Sequence, residues 1–339
     1  MAATIKDVAE LAGVSISTVS RVVNNSKPVS PAVRRKVLEA IEELDYKPNQ
    51  VARSLVTKKS NLIGIVLTDI GNYYIARMVR GMEEIGRMYN YDIILSSSYG
   101  NSNREIELLK LLKGKQVEGI VFVSENFDKN VLATIEELNI PSIYLNKYYK
   151  NQSLPSVSID NFQAAYKMTE YLQGLGHEKI LYINDNNNHE DSIERIKREG
   201  YKKSVEEKGL KEYILSTEGL KLEDGYSIGN SVVKLIKDEN ITAVFCNQDE
   251  IAIGLINYCY DNNIKVPEDI SIAGFGDTEL ASIYRPGLTT IREPYYDIGA
   301  VAIRRVIKEI NEDKSEDENE NTFLPAHIME RGSTKDLKS

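Results

Sequence analysis

The chain has 339 residues, 42% of them hydrophobic, and a net charge of −9, which suits a small module plus a core of about 270 residues with a substantial buried interior. Two cysteines cannot make a disulfide framework, three scattered histidines offer no metal-ligand spacing, and no stretch approaches the roughly 20 apolar residues of a membrane span. The first residues, MAATIKDVAELAGVS, have neither a positive leader nor an apolar run, so a cytoplasmic protein of two or three folding units, without metal or cofactor, is expected.

Charge divides unevenly along the chain. Residues 1 to 60 hold ten Lys/Arg against six Asp/Glu, a balance of +4, which leaves −13 for the remainder. A basic head on an acidic body suits a local contact with a polyanion. Thr4 and Asp7 have the spacing of an N-cap pair, and Ile5, Val8, Ala9 and Leu11 give helix one, over 5 to 12, an apolar face. Gly13 permits a tight turn. Ser15 caps a second helix with Val19, Val22 and Val23 inside, and Ser30 caps a third that starts at Pro31 and buries Val33, Val37, Leu38, Ile41 and Leu44.

That is helix-turn-helix spacing, in which the second helix lies in the major groove of DNA. Ile16, Ser17 and Arg21 then face the bases, with Arg21 suited to bidentate contact with a guanine, while Ser15, Thr18 and Ser20 reach phosphates. Thr4 and Asn24 complete the candidate contacts of the head. The segment from Lys47 through Leu55 opens with Pro48, a helix-starting residue, but is too short to be stably helical alone.

TIKDVAELAGVSISTVSRVVNN and YKPNQVARSL resemble, in order and spacing, the DNA-binding head and hinge of the LacI/GalR repressor family. The resemblance implies that hinge helices of two subunits pair in the minor groove of a palindromic double-stranded operator. Leu55 would wedge into the central base step, with Asn49 and Ala52 lining the same groove. A single half-site reader together with the family pattern implies a homodimer.

From residue 62 onward apolar runs alternate with amphipathic helices: LIGIVLTD, YDIILSSS, VEGIVFVS and PSIYLN, then KILYIND, TAVFCNQD and ISIAGFG. This is the pattern of βαβ units on parallel sheets, in two groups. The family fold adds a two-lobed α/β core of the type I periplasmic-binding-protein kind, with crossovers near 161, 291 and 322. The expected organisation is an all-α helix-turn-helix domain over 1–47 and a hinge helix and linker over 48–60. One core lobe is then made of 61–161 with 292–322, and the other of 162–291 with 323–339. Cys246 and Cys259 fall in apolar stretches and read as buried reduced thiols, and the acidic run from Glu312 to Glu320 reads as a solvated crossover loop. Gly225-Tyr226-Ser227-Ile228-Gly229 matches the nucleophile-elbow pattern G-x-S-x-G, yet no strand runs into it, which argues against a hydrolase.

Ligands of such cores sit between the lobes. Small-molecule members of the family hold a sugar or purine with an Arg in R-x-x-G-[FY] and an Asp after a G-F pair. Here Lys197 and Gly276 occupy those positions, with Arg198 and Asp277 one residue along as substitutes in a possible effector cleft. GKQVEGIVFVS and PYYDIGAVAIRRVIKEI resemble the carbon-catabolite-control members of the family, whose corepressor is HPr, or its relative Crh, phosphorylated on a serine. Ala300, Arg304 and Lys308 are four apart and share a helix face, and the two cations suit a phosphoserine. The resemblance places Tyr296 and Asp297 at the rim of that contact and adds Glu84 and Tyr89 from GMEEIGRMYNYD. It also shows two departures, since Arg305 replaces an apolar residue and Glu84 an Asp. The expected function is a non-enzymatic regulator of carbon catabolite control, with sugar phosphates as possible modulators. A sugar- or nucleoside-responsive local repressor is the alternative within the family, and a solute-binding protein or enzyme the alternative outside it.

Overall fold

A computed structural model describes residues 3–24, 27–47, 59–124, 128–145, 155–186, 192–311 and 321–338. The chain forms two compact units, Met1–Ser60 and Asn61–Ser339. In the first, α1 (Ile5–Ala12), α2 (Ile16–Asn24) and α3 (Pro31–Glu43) enclose one small core of Val8, Ala9, Ala12, Val19, Val22, Val37 and Ala40. The expected capping box is present, with the Thr4 backbone N–H donating to Asp7 Oδ2 at 2.7 Å. Gly13 takes φ +64° and closes α1, as a left-handed C-cap requires.

Three details differ from expectation. Leu11 and Leu38 are both about half exposed, and their places inside are taken by Ala12 and Ala40. Three short helices crossing closely favour alanine at the contact points, because a larger side chain holds the backbones apart. Ser30 stands at the N-cap of α3 without a side-chain cap bond, so the helix start rests on Pro31 instead.

The second unit contains two six-stranded sheets. Sheet one has the order β11-β5-β4-β3-β1-β2, built from β1 (Leu62–Leu67), β2 (Asp92–Ser97), β3 (Gly119–Val123), β4 (Ser142–Leu145), β5 (Ser156–Ile159) and β11 (Thr322–Leu324), all parallel. Sheet two runs β12-β10-β9-β8-β6-β7 from β6 (Ile180–Asp185), β7 (Tyr213–Thr217), β8 (Ala243–Cys246), β9 (Ser271–Gly276), β10 (Thr289–Arg292) and β12 (His327–Met329). In it only β12, against β10, is antiparallel. Helices cover both faces, which is why the central strands are continuous apolar runs rather than alternating ones.

The chain passes between sheets after Ile159, after Arg292 and after Leu324. The last crossover lies just beyond the expected 322, because β11 continues pairing with β5 as far as Leu324. Both cysteines are free and buried. The acidic run 312–320 lies outside the described residues.

Two helices of the second unit, α4 (Tyr73–Met88) and α13 (Tyr295–Ile310), pack directly against each other. Their crossing is tight, since a Cβ on Gly81 would stand 2.2 Å from the Tyr296 carbonyl oxygen and one on Gly299 2.1 Å from that of Met78.

Candidate functional site

The N-terminus of α2 presents a cluster of hydroxyls. Ser15 Oγ accepts the Thr18 N–H at 3.2 Å, capping the helix, and lies 2.8 Å from Ser17 Oγ and 2.9 Å from Thr18 Oγ1. Ile16, Ser17 and Arg21 are exposed, while Val19 and Val22 on the opposite side are fixed in the three-helix core. The packing that buries the valines therefore presents Ile16, Ser17 and Arg21 outward, as a helix that reads DNA bases must. Hydroxyls and backbone N–H groups at a helix N-terminus suit phosphate oxygens. Thr4 is exposed at the start of α1, and its hydroxyl is engaged with Asp7, whose carboxyl is held low by the Thr4 bonds. Asn24 ends α2; Asn49, Ala52 and Leu55 lie outside the described residues.

On the core, the α4–α13 crossing brings Glu84 and Tyr296 together, the phenol donating to Glu84 Oε2 at 2.7 Å. Arg80 Nε donates to the other Glu84 oxygen at 3.0 Å. These two bonds hold the Glu84 carboxyl below the usual range, and the Glu84 bond pushes the Tyr296 phenol up. Ala300 is half-buried on the same helix as Asp297, Arg304 and Lys308, all three exposed, and Tyr89 is exposed at the end of α4. Arg305 is not part of that face. Its guanidinium donates to Thr322 Oγ1 at 2.7 Å and to the Ser156 carbonyl at 3.3 Å, fastening α13 to the edge strand β11 and its neighbour β5.

A small cavity of about 50 Å³ opens beside α8 (Ile193–Glu207) and the starts of α4 and α13. Asp185, Glu194, Glu250 and Glu293 line it with the cation of Lys197, and Tyr74, Phe275 and Tyr295 supply rings. Lys197 is buried. Its Nζ sits 4.0 Å from the Phe275 ring centroid, 3.4 Å from Glu194 Oε1 and 3.3 Å from the Asn247 carbonyl. Tyr295 donates to Glu293 Oε1 at 3.1 Å. Burial, reinforced by the charges of Glu293, Asp249 and Glu250, raises the Tyr295 phenol well above its ordinary value.

Two family models match the chain: bacterial regulatory proteins of the lacI family over residues 4–49, and a periplasmic binding protein-like domain over 169–334. Catabolite control protein A of Priestia megaterium is 40% identical over 341 residues, covering 99% of this chain and all of that one. The HTH-type transcriptional regulator RegA of Clostridium saccharobutylicum is 40% identical over 98% of this chain and all of its own. The chain belongs to the lacI family of bacterial regulatory proteins. It is a DNA-binding transcription regulator and not an enzyme, similar throughout to catabolite control proteins. The lac repressor dimer bound to operator and the anti-inducer ONPF superposes with a TM-score of 0.87 at 25% identity, covering 99% of this chain and 100% of that one. The regulator CcpA of Lactococcus lactis does so with 0.72 at 27% identity, over 81% of this chain and 99% of that one.

Of the three effector residues expected in this lacI-family core, only Lys197 lines the cavity. Arg198 is one position round α8 and does not; its Nε is buried without a hydrogen-bond partner among the described residues. Asp277 does not line it either. At φ +54° it turns to Arg292 Nε and the Arg331 guanidinium, each at 2.6 Å, so its charge closes the loop after β9 instead of facing a ligand. Sequence reasoning missed Glu250, Glu293 and the fully buried Asp249, whose signal was acids directly after the strands TAVFCNQDE and TTIRE. The Gly225–Gly229 segment is helical, with Ser227 Oγ donating to the Glu223 carbonyl at 2.8 Å, and a Cβ at Gly229 would overlap the Tyr258 ring. Those glycines serve packing.

Proposed function

We propose that this regulator acts in carbon catabolite control: it binds palindromic operators as a homodimer, with serine-phosphorylated HPr or Crh as corepressor on the α4–α13 surface. The observation that carries the reading is Arg304 and Lys308 exposed one helical turn apart on α13, beside an α4 that is locked to it through Glu84 and Tyr296. A phosphoserine carries nearly two negative charges, and a guanidinium with a second cation complements it. Tyr296 and Asp297 stand at the N-terminal end of the same helix, where the rim of a docked partner would fall.

Dimerisation is supported by the second lobe, which leaves Tyr260, Leu280 and Ile283 exposed on two packed helices, α11 (Asp249–Asp261) and α12 (Glu279–Ile283). Large apolar side chains grouped at a surface suit a second copy of the chain. In the head, Thr4, Ser15, Thr18 and Ser20 take phosphates, Ile16, Ser17 and Arg21 read base edges, and Asn24 completes the contact. Asn49, Ala52 and Leu55 take the minor groove. Sugar phosphates, the expected modulators, meet a cavity whose lining is predominantly anionic.

The test is operator binding with and without phosphorylated HPr. Arg304→Ala should leave the basal affinity for a palindromic operator unchanged and weaken the corepressor's effect about tenfold or more, the value of a charge-assisted pair. An undiminished enhancement would show that the phosphate is read elsewhere.

A further inference from the structure

Three residues that immediately precede neighbouring strands of sheet one meet at its amino edge: Asn61 before β1, Tyr91 before β2 and Glu118 before β3. The Glu118 carboxylate accepts the Asn61 backbone N–H on Oε1 at 2.6 Å and the Tyr91 phenol on Oε2 at 3.4 Å. Backbone bonds close the group, since the Asn61 carbonyl accepts the Asp92 N–H and the Leu62 carbonyl the Glu118 N–H, each at 2.8 Å. Tyr91 is buried, and burial together with the charge of Glu118 pushes its phenol up to about 12, so it keeps the proton it donates.

Asn61 is where the chain enters the core. It is the first residue of the second unit and follows directly on the 48–60 segment expected to form the hinge and linker. It takes φ +55°, a left-handed turn that asparagine tolerates better than most residues. Its carbonyl is held by backbone and its N–H by a side chain, so the direction of entry depends on one replaceable carboxylate.

We infer that Glu118 is a positioning residue for operator binding: by holding Asn61 it fixes the direction in which the linker leaves the core, and Tyr91 orients the carboxylate. It acts through the path of the chain and not by contact with DNA. An operator dictates where each head must stand, so a loosely held linker entry has to be ordered on binding, and that cost is subtracted from affinity. Non-specific binding, driven by phosphates, imposes no such geometry and escapes the cost. The inference rests on the palindromic-operator reading for the choice of DNA, and on nothing about the corepressor.

The test is fluorescence anisotropy of the full-length regulator, without HPr, on a palindromic operator and on a scrambled duplex of the same length. Glu118→Ala should weaken operator binding about tenfold or more, the equivalent of one backbone residue left unordered. Binding to the scrambled duplex should stay within about twofold, because phosphate contacts are untouched. Glu118→Gln should remain close to wild type, since its amide oxygen can accept the Asn61 N–H and its amide nitrogen can donate to the Tyr91 oxygen. The inference is overturned if Glu118→Ala leaves operator affinity unchanged, if it weakens both duplexes equally, or if the Gln variant is as weak as the Ala variant. Where Glu118→Ala does not unfold cooperatively in urea, Tyr91→Phe replaces it: a smaller loss confined to the operator is expected, and no loss overturns the inference. A wild type that binds both duplexes equally overturns the palindrome reading and this inference with it, and is told apart because it shows before any substitution.

Discussion

Asp249 is a fully buried carboxyl that accepts the Thr278 N–H at 2.6 Å and the Thr290 hydroxyl at 2.5 Å, joining the start of α11 to the loop after β9 and to β10. Burial pushes its pKa from 3.8 to about 7, against the opposing pull of those two bonds. A raised carboxyl pKa means that the folded state keeps a proton the unfolded chain has released. The contribution of Asp249 to stability is therefore greatest below pH 4 and declines as the pH rises towards 7. Unfolding free energies of the wild type and Asp249→Asn, measured by urea titration across that range, should show the wild type losing a few kcal/mol relative to the variant. A constant difference would mean that Asp249 is ionised throughout. Arg21 belongs to the same scale. If it makes a bidentate contact with guanine, Arg21→Ala should cost about 1–3 kcal/mol on a specific operator and far less on scrambled DNA, as fluorescence anisotropy would read.

Among the elements, the α4–α13 pair has the least tolerance. Each helix meets the other's backbone through a glycine, Gly81 at Tyr296 and Gly299 at Met78, so the separation of the helices is set by the absence of side chains there. A methyl group cannot be absorbed by a rotamer change when the atom it meets is a carbonyl oxygen. Gly299→Ala should lower stability by about 2 kcal/mol or more, read as a lower denaturant midpoint. It should also disturb the Glu84–Tyr296 bond, and with it the response to phosphorylated HPr. If the midpoint and the response are both preserved, the crossing has slack that its geometry does not suggest. In the head the same logic of close approach uses Ala12 and Ala40, and the larger Leu11 and Leu38 turn outward.

At the scale of the whole molecule, charge is partitioned: residues 1–60 carry +4 and the rest −13. Positive charge concentrated in the DNA-binding unit makes operator affinity depend on counterion release. Affinity should fall by about a hundredfold or more between about 50 and 200 mM salt, measured by anisotropy on a palindromic operator. A flat salt dependence would contradict phosphate contacts from the head. The acidic remainder opposes non-specific attachment to DNA and leaves Arg304 and Lys308 as a local cationic feature on a negative body.

The head and the two-lobed plan were legible in the residues themselves, because capping pairs, a glycine turn and apolar periodicity are local signals that the chain carries wherever it folds. The long central strands were legible for the same reason. β5, with two buried serines, and β7, β10 and β11, short or at edges, were not recognised as strands, since their pairing depends on partners distant in sequence. The shared face of Ala300, Arg304 and Lys308 followed from helical spacing, whereas the Glu84–Tyr296 bond required two helices more than two hundred residues apart to meet, and the inward role of Arg305 required α13 to pack beside β5 and β11. The cleft was decided by tertiary structure alone. A motif shifted by one residue leaves Arg198 and Asp277 formally available, but rotation along α8 and a left-handed turn at Asp277 take both away from the cavity. The same fold gathers Asp185 at the end of β6, Glu194 and Glu250 in the first turns of α8 and α11, and Glu293 just after β10 around one cavity with Lys197, an arrangement that no local pattern encodes.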